Sequence, residues 1–170
     1  SSLAEVLGAE DLLVINTSAT VPAAITATDV ESGAEVVVHL STRLSREPGG
    51  DELWVVEPRR PTGTTTKAWA PDQAGEATST RLADQRVPRH LSLGRGSEAR
   101  LRMLAPYRDS RRLWTALLSV PVPVLDWLQA NGRPVRYCYV GRQWPLSAYQ
   151  NVYATEPGSA EMPSAGRPFT

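Results

Sequence analysis

The run EVVVHLSTRLSREPGGDELWVVE, residues 35–57, decides the fold class. Its arms, Glu35–Ser41 and Glu52–Glu57, are rich in β-branched and aromatic side chains, which suit a pleated, half-buried surface. Between them SREPGGD (45–51) supplies a proline and paired glycines for a tight reversal, so the segment reads as a β-hairpin. A second hairpin is expected where His90-Leu91-Ser92-Leu93 and Ala99–Met103 alternate apolar with polar across GRGS (94–97). That alternation sets Arg100 and Arg102 on the face opposite Leu101 and Met103. Leu113–Val120 adds a strand, and the stretches around Trp69 and Thr80 are candidate edge strands. Five or six short antiparallel strands with no helix between them predict a small closed or sandwiched β-domain over residues 24–120, with Trp54, Trp69 and Trp114 in its core.

The flanks read differently. Ser2–Glu10 is compatible with the end of a helix closed by Gly8, and Leu12-Leu13-Val14-Ile15 is a continuous apolar run expected to form a buried, parallel-type strand. The hydroxyl-rich Asn16-Thr17-Ser18-Ala19-Thr20 would leave the carboxyl end of that strand, where α/β folds gather ligands, before an extended stretch from Pro22 to Thr28. Past the β-domain, Val124–Ala130 has helical spacing, with Pro123 suited to the first turn and Asn131-Gly132 to a left-handed stop. Val135–Val140 is expected to be extended, Tyr149–Ala154 to make one or two helical turns, and Glu156–Thr170 is a Pro/Gly/Ser/Ala stretch that reads either as a fraying tail or as a binding loop.

Bulk properties narrow the function classes. Lys and Arg total 18 against 18 Asp and Glu, so no overall field draws the chain to nucleic acid and any RNA contact must be local. Arg95, Arg100, Arg102, Arg108, Arg111 and Arg112 cluster in sequence; the reading preferred is a solvated strand face, partly neutralised by Glu98 and Asp109, over an RNA-binding patch. Cys138 is the only cysteine, which leans toward a reducing compartment. With no leader-like or membrane-spanning apolar segment in the sequence, a soluble cytoplasmic protein is expected. His39 and His90 stand alone on strands without a metal-ligand spacing, and neither a phosphate loop nor a G-x-S-x-G elbow is present.

Two separated segments resemble one family, the S-adenosylmethionine:tRNA ribosyltransferase-isomerases of queuosine biosynthesis. Asp11-Leu12-Leu13-Val14-Ile15-Asn16-Thr17-Ser18 with Val21-Pro22-Ala23 resembles the family's DLLVxNxT strand and following xPAR. Tyr149-Gln150-Asn151-Val152-Tyr153-Ala154, Gly158-Ser159, Pro163-Ser164-Ala165-Gly166 and Phe169-Thr170 resemble its YQTVYA…GSxAAPTAGLHFT. The resemblance implies a mixed α/β and β architecture. An antiparallel β-barrel (24–120) would be inserted in a discontinuous α/β domain, of which residues 1–23 and 121–170 are strips, and the larger domain would continue beyond both Ser1 and Thr170.

The activity implied moves the ribosyl part of S-adenosylmethionine onto a 7-aminomethyl-7-deazaguanine in tRNA, giving epoxyqueuosine, adenine and methionine. S-adenosylmethionine is then a substrate, no metal or other cofactor is implied, tRNA is the partner, and the 170-residue piece alone is expected to be inactive. The substrate-binding positions carried over by motif and type are Asn16, Thr17, Ser18, Tyr149, Gln150, Tyr153, Ser159, Ser164, Gly166 and Phe169. Hydroxyl and amide groups would fix polar parts of the ligand, Gly166 would admit close backbone approach, and Tyr or Phe would stack on adenine; for Tyr149 and Tyr153, simple packing at helical spacing is an equal alternative. The chain departs from the family pattern at Ala19 and Ala24, where the family has arginines, at Glu161-Met162, and at Arg167-Pro168, where it has a histidine. Binding of tRNA or a nucleotide without catalysis, and transfer to another acceptor, stay open as alternatives.

Overall fold

The computed structural model describes residues 3–63, 65–69, 89–94, 98–137 and 139–169. Strands β1 (Ser18–Thr20), β2 (Ala24–Asp29), β3 (Glu35–Arg46), β4 (Glu52–Thr62), β5 (Thr65–Ala68), β6 (His90–Leu93), β7 (Arg100–Pro106) and β8 (Trp114–Ser119) precede helix α1 (Val124–Asn131), and β9 (Glu156–Ser159) follows it. The sheet order β3-β2-β6-β7-β8-β4 closes on itself through β3–β4, giving a six-stranded antiparallel barrel with β5 as a spur on β4. Closure leaves no edge to the six barrel strands, and bulges between Leu40 and Thr42 and between Met103 and Ala105 add the bend it requires.

Period-two alternation fills the barrel. On β8 Trp114, Ala116 and Leu118 point inward, and on β7 Leu101 and Met103 do, while Arg100 and Arg102 face solvent. Ile25, Val36, Val38, Leu40, Val56, Leu91 and Leu93 complete the interior, each contributing about 1.5–3 kcal/mol by leaving water. Trp54, Trp69 and Trp114 are all buried, as the sequence predicts. Both hairpins form, with arms on the first that run beyond the expected limits. Thr80 and Arg95 lie outside the described residues.

Two carboxylates among the described residues are buried in this wall, Asp29 on β2 and Glu52 on β4. Asp29 accepts from the Glu31 and Ser32 N–H groups at 2.9 and 3.3 Å, and from Arg89 at 2.7 Å. Burial pushes its pKa up, but these donors outweigh burial and hold it below the usual 3.8. The β2–β3 turn is thereby anchored to the residue that enters β6.

Several flanking expectations are corrected. Of the segment expected to end a helix, Ser2–Glu10, the described residues from Leu3 carry only a 3-10 turn, Leu3–Glu5, because Leu3, Val6 and Leu7 stay exposed and no packing offsets the cost of helix nucleation. Leu12–Ile15 is not a buried strand: Leu12 and Val14 are 87% and 81% exposed, and strand pairing begins at Ser18. Parallel pairing does occur, a few residues later, between β1 and β9. The described residues of Val135–Val140 form no strand after a single bridge from Arg133 to Ala24, and the Val140 N–H donates to the Tyr137 carbonyl at 3.0 Å. Among the described residues of the arginine cluster, Arg112 is neutralised by Glu57, to which it donates at 2.8 and 3.1 Å.

Helix α1 buries Val124, Trp127 and Leu128, the i, i+3, i+4 stripe, against Val21 and Ala23. Pro123 is its N-cap, and the Trp127 N–H donates to the Pro123 carbonyl at 3.0 Å. Gly132 does not adopt the expected left-handed stop; it is extended, at φ −91° and ψ 171°. A Cβ there would stand 1.9 Å from the Pro22 carbonyl oxygen and 2.8 Å from that of Leu128, so glycine is required by close backbone approach. Gly132→Ala is accordingly expected to destabilise the fold by about 2–3 kcal/mol, read as a lower urea midpoint, whereas Gly141→Ala, in open space, is expected to leave it unchanged.

Candidate functional site

The barrel returns the chain to its starting point. Ala24 and Arg133 exchange backbone hydrogen bonds at 2.9 Å in both directions, so the segments before β2 and after α1 run side by side. The Gln150 carboxamide then acts as a surrogate strand neighbour, accepting from the Thr20 N–H at 2.8 Å and donating to the Thr20 carbonyl at 2.8 Å. The Thr20 hydroxyl donates to the Tyr149 carbonyl at 2.7 Å, and Thr20 is 3% exposed. Past this clamp the Thr155 and Glu156 N–H groups donate to the Thr17 carbonyl, and Val21 donates to Ser159 at 2.8 Å.

Held together in this way, the two segments enclose a cleft of about 380 Å³. One wall is Leu13, Val14, Ile15 and Asn16; the other is Tyr153, Met162, Pro163, Ser164, Ala165, Gly166 and Phe169. The apolar run misread as a buried strand is thus a cleft wall. Tyr153 and Phe169 meet edge to face at 5.4 Å, giving one end an aromatic corner. The volume and the mostly apolar lining with few polar groups match small-molecule sites.

Five predicted positions share this cleft: Asn16, Tyr153, Ser164, Gly166 and Phe169. Thr17 and Ser18 adjoin it along the chain, but the Asn16 side chain accepts from the Ser18 N–H at 2.8 Å and Thr17 uses its carbonyl to hold residues 155 and 156. Tyr149 and Gln150 lie outside it and brace β1. The expected helical turn over Tyr149–Ala154 is corrected: a 3-10 turn spans Leu146–Tyr149 and Gln150 is extended, so Tyr149 and Tyr153 do not stack along a helix. Residues 156–169 do not run as a featureless tail but form β9 and a 3-10 turn, Ser164–Gly166.

Sequence reasoning missed Asn151. Its side-chain N–H donates to the Pro163 carbonyl at 2.9 Å and its carboxamide oxygen accepts from the Tyr153 N–H at 2.9 Å, tying both parts of the second wall. A Cβ on Gly166 would lie 2.4 Å from Asn151 Nδ2, so Gly166 makes room for that side chain. The signal available was the pairing of a carboxamide with a glycine in one motif, and it does not separate close packing from ligand approach.

Ser159 faces a second cleft of about 330 Å³, with His39, Glu57, Arg59, Tyr137 and Glu161. Arg59 and Arg112 both donate to Glu57. Burial, reinforced by Arg59 and Arg133 against Glu57, pushes the His39 imidazole down to about 4, so it is neutral at pH 7. The Tyr137 hydroxyl donates to Glu161; burial and that carboxylate push its pKa up, which keeps it protonated.

Two expectations follow. An imidazole whose folded pKa is depressed takes up its proton more readily in the unfolded chain, so its contribution to stability is full above 6.5 and is lost as pH falls toward about 4. Denaturation midpoints should fall across that window, and His39→Gln should flatten the slope there. In the cleft, Gly166→Ala is expected to cost about 1–3 kcal/mol alone and markedly less in an Asn151→Ala background, a coupling that a double-mutant cycle measures.

A family model described as "Queuosine biosynthesis protein" matches residues 1–170. No curated protein and no solved structure matches the chain. The match spans both cleft walls and the barrel between them, and the chain therefore belongs to the queuosine biosynthesis protein family.

Proposed function

We propose that the protein transfers the ribosyl part of S-adenosylmethionine to the aminomethyl nitrogen of a 7-aminomethyl-7-deazaguanine in tRNA, releasing adenine and methionine and leaving epoxyqueuosine. The observation that carries this reading is the cleft in which both family-like segments meet, Leu13–Asn16 on one wall and Tyr153 with Met162–Gly166 and Phe169 on the other. Its size suits a nucleoside-bearing ligand, and its chemistry is compatible with one. The Tyr153–Phe169 corner offers a flat and an edge contact to a purine. Asn16 on one wall and Ser164 on the other can bond ribosyl or methionine polar groups, and Met162, Pro163 and Ala165 exclude water from a sulfonium centre whose bond to carbon must break.

These residues bind and orient; none is assigned as the general base. Arg167-Pro168 stands where the family carries a histidine, and Arg167 is exposed and outside the cleft lining. That replacement favours a second reading, in which the protein binds nucleotide and tRNA without turnover. The two readings separate when the full-length protein is incubated with S-adenosylmethionine and tRNA bearing the aminomethyl precursor base. Stoichiometric adenine release with a matching mass gain on the tRNA is the expected result; ligand binding without adenine release contradicts transfer and selects the second reading.

A further inference from the structure

Beside the second cleft, the segment RYCYVGRQW (136–144) exposes three large rings: Tyr137 at 42%, Tyr139 at 80% and Trp144 at 41%. So much aromatic surface gathered in nine residues marks an interaction site. The rings are ordered. Tyr137 and Tyr139 stack at 5.6 Å with 6° between their planes, presenting one flat π-face, and the turn closed from Val140 to Tyr137 sets that spacing. The Arg142 guanidinium lies 3.6 Å over the Trp144 ring, so a second platform comes with a cation already seated on it. Gln143 ties the segment back by donating to the Pro134 carbonyl at 3.4 Å.

The platform leads inward, because Tyr137 also lines the second cleft beside His39, Glu57, Arg59 and Glu161. Flat rings here stand beside guanidinium groups, Arg142 over Trp144 and Arg59 and Arg136 with Tyr137 along the second cleft. Stacking on aromatic faces with nearby arginine is the chemistry that holds unpaired bases and their phosphates. Because positive and negative charges balance over the whole chain, such binding has to be local, as this patch is.

We propose that Tyr137 and residues 139–144 form a stacking ledge for unpaired bases of RNA, with Tyr139 and Trp144 as platforms and Arg142 as a phosphate contact. The proposal rests on the reading that the protein acts on tRNA, and it adds which surface receives the single-stranded part. It is tested by anisotropy titration of the full-length protein with a labelled RNA hairpin carrying an anticodon loop and with a fully paired RNA duplex of equal length. Tyr139→Ala and Trp144→Ala are each expected to weaken hairpin binding about 5- to 100-fold and to leave duplex binding unchanged, while Tyr139→Phe keeps wild-type affinity. Both side chains are exposed, so circular dichroism and thermal midpoints should match the wild type.

Unchanged hairpin affinity in both alanine variants overturns the ledge, and so does an equal loss on hairpin and duplex. Hairpin binding that depends on Tyr139, without adenine release by the wild type, keeps the ledge and rejects ribosyl transfer. Adenine release with an indifferent Tyr139→Ala does the reverse, and a wild type that binds no RNA overturns both.

Discussion

The Gln150 carboxamide, bonded through both its ends to the backbone of Thr20, is the contact on which the rest of the candidate site depends. It joins residues 130 positions apart, on a strand whose one partner among the described residues is β9. Each bond contributes about 1 kcal/mol net, but Thr20 is buried, and leaving its N–H and carbonyl unpaired would cost about 1–3 kcal/mol apiece. Removing the carboxamide therefore weakens the register of β1 against β9 as well as one contact. With that register go the positions of Asn16 in the first cleft and of Ser159 in the second.

The clamp is possible because the barrel has already met the entropy of closing so long a loop. Its six strands return the chain to the Ala24–Arg133 bridge, and α1 docks Val124, Trp127 and Leu128 beside Val21 and Ala23. Gly132 lets the exit from α1 pass against the Pro22 carbonyl, which is the closest approach between the two flanking segments that the glycines record. Barrel, helix and cleft thus form a chain of dependencies: burial closes the barrel, closure aligns the segments, and a few directional bonds then shape a cavity between them. Asn151 and Gly166 repeat the same device at smaller scale inside the second wall.

What could be read from residues alone follows this division. The hairpins, the inward Trp54 and Trp114, and α1 were legible because alternation, turn chemistry and helical spacing are local signals. The barrel's closure between β3 and β4 adds no new local pattern beyond the hairpin itself. Leu12–Ile15 misled because a continuous apolar run looks the same whether it is covered by strands or lines a cavity. Gly132 and Gln150 were legible as residue types but not as roles, since both act against backbone far away in sequence. Five of the ten motif-derived positions line one cleft; Tyr149 and Gln150 brace it and Ser159 faces away, distinctions that periodicity cannot carry.

The central claim is that the two flanking segments build one ligand cavity, and filling that cavity tests it most directly. Ala165 lines the cleft from an exposed turn, so Ala165→Trp occupies the space without disturbing the barrel core. Isothermal titration of the full-length protein with S-adenosylmethionine, before and after that substitution, gives the answer. The account predicts saturable binding to the wild type and its loss in the tryptophan variant at unchanged thermal stability; equal affinity in both proteins would contradict it.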